Sequence, residues 1–122
     1  MRVLIADDSA IVRERLAYLL GDVDGVEIVG QAEDAVEAAN LADKLKPDVA
    51  ILDVRMPPGS GADALRDIKR NNPRSTVIML TNFVDPENRK LCIDRGADYF
   101  FDKSIEFDKA VAVLRDLLHE RS

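Results

Sequence analysis

Short runs of consecutive apolar residues recur along the chain, and each is bounded by charged or turn-forming residues. Such runs are typical of strands that are buried on both faces of a sheet. Five strands are predicted, of which the second alternates weakly between apolar and polar positions: 3–6, 26–32, 49–52, 76–80 and 97–101. Apolar residues at helical spacing follow each strand and predict helices at about 9–20, 34–45, 62–71, 85–95 and 106–119.

Strand and helix therefore alternate five times, which predicts a parallel sheet covered by helices on both faces. The natural architecture for this count is an α/β, flavodoxin-like, doubly wound sheet of five strands in the order 2-1-3-4-5. We find no linker, repeat or low-complexity segment, so the 122 residues are expected to form one domain, residues 1–122.

The charge balance restricts the partners that we expect for this domain. The net charge is -6, from 17 Lys and Arg against 23 Asp and Glu, which argues against direct binding of nucleic acid. No apolar run approaches the roughly 20 residues of a membrane span, so membrane insertion is not expected. An acidic pair, Asp7 and Asp8, stands where a signal peptide would still be apolar, and a cytoplasmic location is predicted.

Residues that can carry chemistry stand at the predicted strand ends. Asp7 and Asp8 follow the first strand, Asp53 the third, Thr81 the fourth and Lys103 the fifth. Because the carboxyl ends of parallel strands lie at one edge of the sheet, these side chains should meet there. Singly, each has a structural explanation as a turn residue, a helix cap or a solvated side chain. Their coincidence at one edge favours a functional site.

The chemistry of this set points to phosphoryl transfer. Clustered carboxylates suit Mg²⁺, which is usually held by one or two carboxylates together with water and a phosphoryl group. The Lys103 ammonium and the Thr81 hydroxyl can contact phosphoryl oxygens. Asp53 then remains as the nucleophile, since carboxylates form acyl phosphates.

These residues belong to a longer pattern, which comprises Asp7-Asp8, Asp53 before Met56-Pro57 and Gly61, Thr81, Gly96-Ala97-Asp98 and Lys103. In order and spacing, the pattern resembles the receiver domain of two-component response regulators, and the resemblance covers the whole chain. It implies a signalling switch in which Asp53 accepts a phosphoryl group from a sensor histidine kinase or a histidine phosphotransfer protein. Such a domain catalyses only its own phosphorylation and dephosphorylation, and acts on a downstream protein target.

The resemblance also implies individual roles. Mg²⁺ would be held by Asp8, Asp53 and the backbone carbonyl of Arg55, with Asp7 acting largely through water. Thr81 and Lys103 would contact the phosphoryl group, and Phe100, three residues before the lysine, would be the switch aromatic. The face formed by the fourth helix, fifth strand and fifth helix would change its partner affinity. A phosphorylation-dependent homodimer through this face is left open.

Some positions depart from the usual receiver pattern. Ser104 follows Lys103, where proline in a cis peptide is common, and Asn82 follows Thr81, where a small residue is usual. Phe100 replaces the more frequent tyrosine. These departures keep open the alternative of a receiver-like interaction module that is not phosphorylated.

Arg55 and Phe83 lie at the two positions that modulate phosphoryl lifetime in the family that the chain resembles. We hypothesise that Phe83 shields the acyl phosphate from water. Arg55 also bears on a rival interpretation, because Asp-nucleophile phosphohydrolases of small molecules typically carry a second aspartate at that position. A third interpretation, a flavodoxin-like nucleotide binder, is disfavoured because Asp7 and Asp8 would repel a bare phosphate.

Overall fold

One sheet of five parallel strands, with the order β2-β1-β3-β4-β5, forms the centre of the computed structural model, which describes residues 1–121. The predicted flavodoxin-like architecture is confirmed. Ser122, the last residue of the predicted domain, lies outside the described residues. Along the chain the elements are β1 (Arg2–Ala6), α1 (Ala10–Gly21), β2 (Glu27–Ala32), α2 (Ala35–Leu45), β3 (Val49–Leu52), α3 (Gly61–Asn71), β4 (Thr76–Thr81), α4 (Pro86–Asp94), β5 (Tyr99–Asp102) and α5 (Phe107–Arg121).

The fifth strand begins two residues later than the sequence predicts. Gly96 has a φ of 99°, a left-handed conformation that suits glycine, and the N–H of Ala97 donates to the carbonyl of Cys92 at 3.0 Å. Residues 96 and 97 therefore complete the end of α4, and β5 starts at Tyr99.

Polar side chains start the helices close to the strand ends. Ser9 accepts a hydrogen bond from the N–H of Val12, and Ser60 accepts one from the N–H of Asp63. These caps satisfy helix N–H groups that have no partner within the helix. The longest helix, α5, has 15 residues. No helix in the described part of the chain is long and apolar enough to cross a membrane.

Both faces of the sheet are buried, as the continuous apolar strands predict. On one face, Val3 and Ile5 of β1 pack with α1 and α5. On the other, Leu4 packs with α2 and α3, where α2 presents small residues to the sheet: Ala35, Ala38 and Ala42. Full burial of one large aliphatic side chain stabilises a fold by about 1.5–3 kcal/mol, so the central strands hold the sheet edge rigidly.

The register of the strands brings their carboxyl ends level. Ala6 pairs with Leu52, and Leu52 pairs with Met79. Thr81 pairs with Asp102 at the end of β4 and β5. The residues that follow these strands therefore emerge at the same edge, as the sequence predicts.

Candidate functional site

Asp53 is buried at the end of β3, and only 4% of its surface is exposed. Its N–H donates to the carbonyl of Ala6 at 3.1 Å, which fixes the residue against β1. Its Oδ2 lies 2.7 Å from the Nζ of Lys103, whereas its Oδ1 has a long contact of 3.4 Å with the N–H of Arg55. A bond of that length is weak, so Oδ1 keeps most of its capacity to accept a further partner.

Lys103 bridges two buried carboxylates. Its Nζ lies 2.7 Å from Oδ2 of Asp7 and 2.7 Å from Oδ2 of Asp53, and only 11% of its side chain is exposed. Burial alone would lower the pKa of Lys103, but the hydrogen bonds and charges of Asp53 and Asp7 outweigh it and raise the pKa above its ordinary value. The ammonium is therefore held in its charged form at neutral pH.

Opposing effects act on the pKa of Asp7, which lies beside Lys103. Burial raises its pKa above the ordinary value, although hydrogen bonds from Lys103 and from the N–H of Ser9 act in the opposite direction. The nearby charge of Asp53 adds to the rise. A second cation at this edge would relieve both the repulsion and the cost of burial.

Three carboxylates form one cluster at the sheet edge. One oxygen from each of Asp7, Asp8 and Asp53 lies within 4.8 Å of the others, with Asp8 exposed and the other two residues buried. The single ammonium of Lys103 compensates for one of these three charges. Hard oxygen donors with one water-accessible member are the donor set that Mg²⁺ prefers, so the residues present fit this ion.

Thr81 lies fully buried at the end of β4. Its Oγ1 accepts a hydrogen bond from the N–H of Phe83 at 3.1 Å. Its carbonyl accepts one from the N–H of Lys103 at 2.8 Å, so the two residues are joined through the backbone. The hydroxyl thus lies at the edge where the sequence places it, and it orders the loop that carries Phe83.

Arg55 and Phe83 meet above the sheet edge. The guanidinium carbon of Arg55 lies 5.7 Å from the centre of the Phe83 ring, and both side chains are exposed. They come from the loops that follow β3 and β4, which flank Asp53. The sequence pattern identifies both positions. It does not predict that the two side chains meet, because their contact depends on the paths of two loops.

Gly61 fixes the loop after Asp53, a role that the sequence pattern did not reveal. A Cβ at this position would lie 1.7 Å from the backbone carbonyl oxygen of Asp53. The N–H of Gly61 also donates to the carbonyl of Val54 at 2.6 Å. The start of α3 therefore packs directly on the backbone of Asp53.

Phe100 points inward, with 6% of its surface exposed, and joins the core on the α2 and α3 side of the sheet. The guanidinium carbon of Arg89, from α4, lies 4.7 Å from the centre of its ring.

The Lys103–Ser104 peptide is trans, because Pro57–Pro58 is the single cis bond within residues 1–121.

A family model described as the response regulator receiver domain matches residues 3–115. The chain belongs to this family. The resemblance drawn from the sequence is thus confirmed. Receiver domains of response regulators act in phosphorylation-dependent two-component signalling, where they interact with histidine kinases and downstream effectors, and they are generally not enzymes.

Individual relatives agree with this membership. The response regulator GacA of Pseudomonas viridiflava is 33% identical over 94% of this receiver domain and 54% of its own length. The isolated receiver domain of RcsB from Salmonella enterica serovar Typhimurium, solved with the phosphomimetic BeF3⁻, is 31% identical with a TM-score of 0.83 and covers 95% of this chain and 88% of its own. A chain of the CheX–CheY complex with BeF3⁻ and Mg²⁺ from Borrelia burgdorferi is 26% identical, with a TM-score of 0.87. The match covers 97% of this chain and 89% of that chain. The chain spans between 27% and 56% of the length of the curated relatives it matches, and 54% of this GacA.

Proposed function

We propose that the whole chain, residues 1–122, is a receiver domain that accepts a phosphoryl group on Asp53. The donor is the phosphohistidine of a sensor kinase or of a histidine phosphotransfer protein, met in the cytoplasm. The observation that carries this proposal is the placement of the Asp53 carboxylate, 2.7 Å from the ammonium of Lys103 and within a cluster of three carboxylates that spans 4.8 Å.

The transfer is a single displacement at phosphorus. A carboxylate oxygen of Asp53 attacks, and the P–O bond forms as the P–N bond to the donor imidazole breaks. The electron pair of that bond stays on the imidazole, which leaves as a neutral ring because its other nitrogen carries a proton. Lys103 neutralises charge on the phosphoryl oxygens, and the hydroxyl of Thr81 donates a hydrogen bond to one of them. Phosphoryl transfer depends mainly on such positioning and charge neutralisation, which two rigid strand ends can supply.

Mg²⁺ is the cofactor that the donor set supports, and the residues that would hold it are Asp7, Asp8, Asp53 and the backbone carbonyl of Arg55. When bound, the ion offsets the charge of the carboxylates and of the phosphoryl group. Burial already raises the pKa of Asp7, so this chain's own residues favour an added cation at the cluster.

The proposed output begins at the hydrogen bond that the hydroxyl of Thr81 accepts. A hydroxyl drawn toward the phosphoryl group gives up the 3.1 Å bond from the N–H of Phe83, which loosens the β4–α4 loop. The surface of α4, β5 and α5 then changes its affinity for a downstream protein target. This surface exposes three apolar side chains, Leu91, Ile93 and Tyr99, which supports its use as a contact surface. The alternative to a different target protein is a second copy of this chain, bound through the same surface.

The test is phosphorylation by acetyl phosphate with Mg²⁺, followed by intact mass. We expect a gain of one phosphoryl group that is absent from Asp53→Asn and after chelation of the metal. Asp116→Asn, which removes an exposed carboxylate from α5, is the matched control and should react like the wild type. A folded wild-type protein that gains no mass, with acetyl phosphate or with a phosphorylated donor, would instead support an interaction module that is not phosphorylated.

A further inference from the structure

The loop that carries Lys103 is closed on one side by the carboxylate of Asp102. Oδ1 of Asp102 accepts two hydrogen bonds from Ser104, one from its N–H at 2.9 Å and one from its hydroxyl at 2.6 Å. Both bonds cross Lys103, which stands between the two residues. The N–H of the peptide that follows the lysine, and the hydroxyl of Ser104, are therefore both bonded to one carboxylate.

The same loop is closed on its other side by Glu106. Its Oε1 accepts from the N–H of Asp102 at 3.0 Å, and its own N–H donates to the carbonyl of Asp102 at 2.7 Å. The N–H of Lys103 is held separately by the carbonyl of Thr81 at 2.8 Å. We call residues 102–106 the lysine clasp. The backbone N–H groups of Asp102, Lys103 and Ser104 therefore each donate a hydrogen bond.

Asp102 does not itself reach the carboxylate cluster. It is the last residue of β5, and successive side chains of a strand point to opposite faces. Its carboxylate is bonded to Ser104 in the loop, whereas Lys103 extends to Asp7 and Asp53, 2.7 Å from each. The shortest route from the Asp102 carboxylate to the site therefore runs through the conformation of Lys103, and a second route would run through Arg89 of α4, whose charge also acts on Asp102.

We propose that Asp102, acting through Ser104, is the positioning residue that aims Lys103 at Asp53. This inference rests on the proposed function for its consequence, since a misplaced ammonium slows phosphoryl transfer. It predicts that Asp102 affects the rate of phosphorylation even though its carboxylate is not part of the cluster formed by Asp7, Asp8 and Asp53.

The first test compares phosphorylation rates with acetyl phosphate and Mg²⁺. Asp102→Ala should react about tenfold more slowly, because it loses charge-assisted hydrogen bonds that order the loop. Asp102→Asn keeps an oxygen acceptor for Ser104 and should stay within about twofold of the wild type. Asp34→Ala, which removes a comparable carboxylate-to-N–H bond at the start of α2, is the matched control and should leave the rate unchanged.

The second test asks whether Asp102 acts through Lys103. In a Lys103→Ala background, Asp102→Ala should cause no further slowing, because the group that it positions is gone. A full additional slowing in that background would overturn the proposal, since it would mean that Asp102 acts on the site or on the fold by another route.

The third test needs no phosphoryl transfer. In the protein without Mg²⁺, the side-chain ammonium of Lys103 should give a slowly exchanging NMR signal, because it is buried and bonded to two carboxylates. This signal should be lost or broadened in Asp102→Ala, broadened to a smaller degree in Ser104→Ala, which loses the hydroxyl bond but keeps the N–H bond, and kept in Asp102→Asn. Ser104→Ala serves as the second variant where Asp102→Ala does not fold.

The outcomes separate the two proposals. A wild-type protein that takes no phosphoryl group overturns the proposed function, while the NMR comparison still decides whether the clasp positions Lys103. A phosphorylated wild type together with an Asp102→Ala variant of equal rate and unchanged lysine signal overturns the positioning role alone.

Discussion

The loops after β3 and β5 bring opposite charges to one point by different means. The β3–α3 loop, which carries Asp53, is held by contact between backbones, with no space for even one methyl group at Gly61. The β5–α5 loop, which carries Lys103, is held by side chains at the protein surface, chiefly Asp102 and Glu106. The position of Asp53 thus depends on close packing of backbone at Gly61, which almost any side chain there would disrupt. The position of Lys103 depends in part on side-chain hydrogen bonds, which single substitutions can remove.

The strongest way to break this comparison is Gly61→Ala. The new Cβ would lie 1.7 Å from the carbonyl oxygen of Asp53 and 2.7 Å from its carbonyl carbon, so the backbone must shift. We expect a loss of about 3 kcal/mol or more in the free energy of unfolding, measured in urea, because overpacking against backbone is at the costly end of such changes. Gly21→Ala is the control, because no atom lies within 4 Å of its added Cβ. Equal stability of the two variants would contradict the packing argument.

Removal of the lysine charge tests the second loop with the next largest effect. Lys103→Met leaves Asp7 and Asp53 buried without their cation, and we expect a loss of about 2–3 kcal/mol at neutral pH, somewhat below that of a fully buried pair. The free energy of unfolding, measured at several pH values, checks this.

The pH dependence of that loss has a definite sign. Burial holds the pKa of Asp7 above its ordinary value of 3.8, so protonation favours the folded state as the pH falls through the raised pKa. Without Lys103 the pKa of Asp7 rises further. The deficit of Lys103→Met should therefore shrink as the pH falls, and a deficit that grows in acid would count against the buried ion pair.

A smaller effect, of opposite sign, is expected at Asp8. Three carboxylates meet one ammonium at this edge, so Asp8→Asn should stabilise the protein without Mg²⁺ by about 1 kcal/mol or less, since Asp8 is exposed. The same variant should lose most of the rise in melting temperature that Mg²⁺ gives the wild type. Asp116→Asn, on α5, should show neither change, and a destabilised Asp8→Asn would contradict the charge balance.

The smallest effect is predicted for the contact between Arg55 and Phe83. An exposed cation–π contact is worth about 0.5–1 kcal/mol, which corresponds to a two- to fivefold change in how often the two side chains are in contact. If that contact limits the access of water, Phe83→Ala should shorten the lifetime of the acyl phosphate by up to about the same factor. Decay of the phosphorylated mass measures this. Tyr18→Ala, which removes an exposed aromatic ring from α1, should leave the lifetime unchanged. An unchanged or longer lifetime in Phe83→Ala would mean that the ring does not shield the site.

In both loops the sequence predicts the functional residue but not the contact that fixes it. A parallel sheet predicts that Asp53 and Lys103 lie at one edge, and in the structure Nζ of Lys103 is 2.7 Å from Oδ2 of Asp53. The need for Gly61 and the closure of Lys103 by Asp102 were not predicted, since both depend on the path of a loop. Propensity and period describe strands and helices, but loop conformation is decided by individual contacts.

The bridge between Lys103 and Asp7 joins residues that are 96 positions apart in the chain. Contacts of such long range form late, because the intervening chain must lose its freedom before they can hold. During synthesis, which proceeds from the N-terminus, Asp7 and Asp53 both leave the ribosome before Lys103 exists. The charge-paired site is therefore a property of the finished chain. A nascent or truncated chain would present its carboxylates without their cation.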